Sequence, residues 1–200
     1  MADSNTVSAT RSASWLAAAR AAIVFILICG GLYPLVITTV GGVLFPHQAT
    51  GSLIEIDGKV VGSELVGQRF TAPEYFHGRP SAAGYDPFSV SGSNYAPSNP
   101  DLRARVAEDS EAIASREGVS PDSIPVDLLA ASGSGIDPHI SPESALLQAE
   151  RVAAARDIPV SEVHDLIKQV TEGPTFGVFG QPRVNVLKIN LALDGKEISD

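Results

Sequence analysis

The chain has 200 residues, 44% apolar and 18% charged, which leaves room for one modest domain with a core and excludes long disorder. The net charge of −9 is unevenly placed: residues 1–45 hold two arginines and one aspartate, and the rest hold 12 Lys+Arg against 22 Asp+Glu, a balance of −10. Such a surface repels phosphate backbones and anionic headgroups, so nucleic acid is excluded as a partner.

Residues 1–20 read as a disordered, cytoplasmic amino-terminal segment. From Ala21 to Phe45 the sequence AAIVFILICGGLYPLVITTVGGVLF runs 25 residues without a charge. As a helix it would reach roughly 37 Å, enough to cross a hydrocarbon core of about 30 Å. A signal peptide has a shorter apolar region ending in a small-residue cleavage site, whereas this run ends in Leu44-Phe45-Pro46, so an uncleaved anchor is expected. Gly30, Gly31 and Pro34 mark a bend or a close approach of another helix. Arg11 and Arg20 precede the run and the next basic residue is Lys59. The positive-inside rule then puts the amino terminus in the cytoplasm and residues 46–200 outside.

Ser52–Ser63 reads as a β-hairpin turning at Asp57-Gly58. Residues 71–100 are rich in Pro, Gly, Ser, Asn and aromatics, the composition of a long ordered loop. Asn99-Pro100 opens a helix that stops at Gly118, and Ile124–Ala131 forms one or two helical turns. Ser132–His139 is a tight loop, and Ser141-Pro142 opens a helix to about Arg156. A further helix begins at Ser161, with Val163, Leu166, Ile167 and Val170 on one face. Val184–Leu193 reads as a closing strand, with Leu187, Ile189, Leu191 and Leu193 on one side. Strands at both ends with helices between predict a small soluble α+β (or α/β) domain over residues 46–200, anchored by one amino-terminal transmembrane helix over 21–45.

Candidate chemistry is sparse. Ser132, Ser134, Asp137 and His139 supply the residue types of a hydrolase triad, with Ser134 and His139 as nucleophile and base. No G-x-S-x-G elbow is present, and four residues of one short loop rarely converge in that way. Capping of backbone groups by the serines and aspartate is the alternative. The glycine-rich SGSG and SGSN lack the lysine and hydroxyl of a P-loop. The histidines, His47, His77, His139 and His164, have no second ligand at metal-binding spacing, and Cys29 is the only cysteine. Tyr75, Phe76, Tyr85, Phe88 and Tyr95 cluster with Arg79 in the loop region. They belong either to a protein interface or to a satellite core beneath the loop.

Four stretches together, GSLIEIDGKVVGSELVGQRF, YFHGRPSAAGYDPFSVSGSNYAPSNP, DLLAASGSGIDPHISPESALLQAERVAAAR and FGQPRVNVLKINLALD, resemble the C subunit of the Kdp potassium-transporting P-type ATPases. The departures are small: Ile136 stands where leucine is expected, and Tyr95 where leucine is common. The resemblance implies three protein partners and a lipid bilayer: a potassium-channel-like subunit, a P-type ATPase subunit and a small single-span peptide. It implies a non-catalytic accessory subunit without a tightly bound cofactor, with potassium as the ion the complex transports. Within that frame Tyr75, Phe76, Arg79, Tyr85, Asn94, Asp137 and His139 are partner-interface candidates. One role implied by the resemblance is a catalytic chaperone that raises the ATP affinity of the ATPase subunit. ATP would then be contacted by Ser91, Gly92, Ser93, Asn94 and Gln148. The competing role is an exterior cap over the potassium-selective subunit.

Overall fold

The computed structural model describes the backbone of residues 4–196 and the side chains of residues 14–196. It divides into two units, Met1–Gly51 and Ser52–Asp200.

The first unit is helical: α1 (Ser4–Leu27), a π-helical turn (Ile28–Leu32), α2 (Tyr33–Leu44) and a short α3 (Pro46–Ala49). The stretch Ser14–Leu44 is long and apolar enough to cross a membrane. The expectation of disorder over residues 1–20 differs from the structure, because α1 begins at Ser4; residues 1–3 lie outside the described ones. The alanines from Ala17 to Ala22 favour helix strongly and nothing between Ser14 and Ala21 breaks it, so the span's helix extends backwards. The π turn has a local cause. Pro34 brings no N–H and its ring crowds the carbonyl four residues back; Tyr33 N–H reaches Ile28 O, five residues back, and the turn widens.

The second unit opens with the antiparallel hairpin β1 (Leu53–Ile56) and β2 (Lys59–Ser63). Asp57 and Gly58 have φ of 52° and 75°, the two left-handed residues of the turn that matches strand twist, and Ile56 pairs with Lys59 across it. Residues 64–99 then run without helix or strand. Helix α4 (Pro100–Glu117) starts where Asn99 accepts the Asp101 N–H and ends at left-handed Gly118. After α5 (Val126–Leu129) comes β3 (His139–Ile140). Helix α6 (Pro142–Arg156) is capped by Ser141, whose Oγ accepts the Ser144 N–H, and α7 (Val160–Val170) follows. Last come β4 (Thr171–Glu172), β5 (Arg183–Asn185) and α8 (Val186–Leu193). The second sheet is antiparallel with order β3-β5-β4.

The core lies between this small sheet and the helices. Ala145, Ala149, Val152 and Ala153 of α6 are buried small residues that let α7 approach closely and seat Val163 and Ile167. Val184 and Ile140 enter from the sheet, Ile189 from α8 and Ile113 from α4. The architecture is α+β.

The expected strand over Val184–Leu193 is corrected: only Arg183–Asn185 is strand, and the rest is α8. Asn185 decides it. Its side chain accepts the N–H groups of Leu187 and Lys188, which starts a helix. Val186, Ile189 and Asn190 are then buried at helical spacing.

Candidate functional site

The loop of residues 71–77 is held by side chains reaching out of helices, which supply the hydrogen bonds that a strand partner would otherwise give. Asn190 of α8 accepts the Phe76 N–H at 2.8 Å and donates to Phe76 O at 3.0 Å. Gln148 of α6 does the same for His77, accepting its N–H at 2.8 Å and donating to its carbonyl at 3.1 Å. Gln148 also donates to Ser144 O and accepts from Arg151 Nη2. Arg151 Nη1 donates to the carbonyls of Pro73 and Tyr75, and Arg156 Nε donates to Glu74 O. The Arg156 guanidinium lies 5.0 Å from the Tyr75 ring centre and pairs with Asp194, to which the Tyr75 hydroxyl also donates. That hydrogen bond, then burial and the Asp194 charge, raise the Tyr75 pKa above its ordinary value. Burial first, then the charges of Arg116 and Arg151, keep the His77 pKa low although its bond to Ala72 O opposes them.

A second junction joins residues 79–85 to the loop of residues 130–139. Arg79 Nη1 donates to Asp137 at 2.7 Å, and its Nε and Nη2 donate to Ala130 O. The Tyr85 hydroxyl donates to Arg79 O, and Ser81 Oγ donates to Gly135 O. Gly135 has φ of 78°, and a Cβ there would come within 2.6 Å of both Ala83 and Ser91 O, so no other residue lets the two loops close. Asp137 accepts the His139 N–H at 3.0 Å, and the His139 ring stands 3.5 Å away. Burial alone would raise the Asp137 pKa; the bonds from His139 and then Arg79 outweigh it and hold the carboxyl below its ordinary value. Burial, helped by the Asp137 charge, raises the Tyr85 hydroxyl.

The serines of this loop act as caps. Buried Ser132 Oγ accepts the N–H groups of Gly135 and Asp137, and Ser134 Oγ accepts that of Ile136. Among the described residues no hydrogen bond joins His139 to either serine. The same residues show no group of three or more His, Cys, Asp or Glu placed to hold a metal ion.

The sequence-predicted residues thus separate into groups. Phe76 is core, and Gln148 is fully buried with every polar atom engaged inside the domain. Arg79, Tyr85, Asp137 and His139 are brought together, half-buried, at the loop junction. Ser91, Gly92, Ser93 and Asn94 form a surface stretch where Asn94 Nδ2 donates to Gly92 O. The aromatic cluster divides: Phe76 serves the core, while Phe88 is 98% exposed. Asn190 and Arg151, which fix the loop, escaped the sequence reading because a buried amide and a half-buried arginine carry no periodic signal.

Also missed was the turn Thr175–Phe179, closed by reciprocal backbone hydrogen bonds between those two residues. Phe176 at its tip sits at φ of 54°, a costly conformation for an aromatic residue, with Gly177 beside it at 74°. Phe176, Val178 and Phe179 are 90%, 77% and 68% exposed. The uncharged sequence GPTFGVFGQ was the available signal: three large apolar residues among three glycines, outside any helix or strand pattern.

Residues 15–195 match the family model described as "KdpC: K+-transporting ATPase, c chain". A potassium-transporting ATPase KdpC subunit of Shewanella putrefaciens is 53% identical over 175 residues, covering 88% of each chain. That of Xanthomonas oryzae is 55% identical, over 86% of this chain and 82% of the relative. The subunit of Gemmatimonas aurantiaca is 56% identical, over 84% of this chain and 85% of the relative. The chain therefore belongs to the KdpC family, the c chains of potassium-transporting ATPases.

Proposed function

We propose that this chain is a non-catalytic, membrane-anchored accessory subunit that caps and stabilises the potassium-selective subunit on the outer face of a potassium-transporting ATPase. One observation carries the reading. Of the polar groups offered for chemistry, Ser132, Asp137 and Gln148 are engaged inside the domain and Ser134 caps the Ile136 N–H, while Phe88, Phe176, Val178 and Phe179 stand uncovered. Such a surface favours contact over catalysis. The positive charge at Arg11 and Arg20 supports an orientation with residues 46–200 outside, away from cytosolic ATP. The burial of Gln148 supports the cap over the chaperone, since a nucleotide would have to break the loop's attachment to reach that amide. The Ser91–Asn94 stretch is the surface the chaperone would use instead.

Two measurements test this. Single cysteines at exposed Glu55 and Asp165, in a Cys29→Ser background, are expected to react with an impermeant maleimide in intact cells; reaction only after lysis would replace the cap with the chaperone. The purified complex with and without this chain is then assayed for ATPase rate against ATP concentration. Removal is expected to lower complex stability and leave the ATP affinity of the residual complex unchanged.

A further inference from the structure

An open cleft of about 490 Å³ lies between α4 and the loop of residues 69–85. Its apolar walls include Phe70, Ile113 and Leu128, and Arg69, Arg79 and Arg116 add cationic heads to a domain that is otherwise strongly acidic. The charges around it are mostly matched. Asp137 pairs with Arg79, Arg105 pairs with the cleft's Asp109, and Glu117 is shared by Arg116 and Arg151. Arg69 is exposed and has no hydrogen bond or ion pair among the described residues. The surplus is therefore Arg69 and a share of Arg116.

We infer that this cleft receives a carboxylate side chain from an acidic segment of a partner subunit, with Arg69 as its principal anchor. The guanidinium fork matches a carboxylate in two hydrogen bonds, and the apolar walls accept the stem of a glutamate. A phosphate ligand fits less well. The wall residues Asp109, Ile113 and Arg116 belong to the carboxyl-terminal half of α4, whose dipole is negative at that end. A polyanion would face both that dipole and Asp109 with only the surplus of Arg69 and Arg116 to balance it. A single carboxylate asks for no more than is there.

The inference rests on membership of a multisubunit complex, and the test keeps the two apart. The full-length chain, co-purified with the other subunits in detergent, is washed at rising salt concentration and the retained fraction measured for wild type, Arg69→Lys, Arg69→Gln and Arg69→Glu. Arg69→Glu is expected to weaken retention about tenfold or more, the size of a lost charge-assisted pair, with Arg69→Lys in between. Melting temperatures should match wild type, because the exposed side chain makes no hydrogen bond or ion pair among the described residues. A wild-type chain that does not co-purify overturns complex membership itself. Wild type and Arg69→Glu retained alike at every salt concentration overturns the cleft's role alone. Inorganic phosphate and ATP are titrated into the wild-type and Arg69→Gln chains in parallel; micromolar binding that the substitution abolishes would reassign the cleft to a phosphate ligand.

Discussion

At Gln148 a single amide accepts twice and donates twice, all within the domain, so its whole hydrogen-bonding capacity is used. Gln148→Leu nearly keeps the volume but leaves both backbone groups of half-buried His77 unpaired. We expect a loss of roughly 2–4 kcal/mol, read as a lower urea midpoint of the full chain in detergent. Asp137 gives a pH-dependent counterpart. Its folded pKa lies below the unfolded value of about 3.8, so its ion pair and hydrogen bonds contribute fully above that pH. The contribution disappears as pH falls through the folded value. Asp137→Asn should be less stable than wild type at neutral pH, and the gap should close in strong acid.

At the scale of elements, α8 depends on the cap at Asn185 rather than on its composition. The Asn185 side chain accepts Leu187 and Lys188 N–H groups and donates to Glu64 O, tying the helix start to the segment after the hairpin. Asn185→Ala is expected to cost about 1–2 kcal/mol and to lower helicity by circular dichroism; Asn185→Asp should retain most of the cap. This element also shows where sequence reading stops. The helices beginning at Pro100 and Pro142 were legible because Asn99 and Ser141 sit directly before proline, a local signal with a local cause. The hairpin was legible through Asp57-Gly58 for the same reason. In VNVLKINLAL the apolar residues fit a strand's alternation and a helix's face alike, and the Asn185 cap, with Asn190 buried against the Phe76 backbone, separates them. Strands β3 and β4, of two residues each, are too short to show any period. For the candidate site, residue types were legible at the Arg79–Asp137 junction, while the saturation of Gln148 was not, because two of its four bonds go to His77, 71 residues away along the chain.

Across the molecule, the anchored unit and the α+β unit divide the apolar surface differently. The first exposes apolar residues along its length, as a span requires, whereas in the second the most exposed large ones are Phe88 and Phe176. Replacing Phe176 and Phe179 with serine should shift domain stability by no more than about 0.5 kcal/mol, since neither is buried. The same double variant should reduce recovery of intact complex on size-exclusion chromatography. A large drop in melting temperature together with normal recovery would make the turn a folding element instead.

The widened turn at Ile28–Leu32 changes what the spanning helix can show its surroundings. Gly30-Gly31 and Gly41-Gly42 lie about three turns apart, and in a regular α-helix they would share one side. The extra residue held in the π turn rotates everything after it, so the two glycine notches point in different directions. A neighbouring helix that nestles against one notch cannot follow a straight seam to the other. Helices packing at the two notches would therefore have to approach this span from different directions.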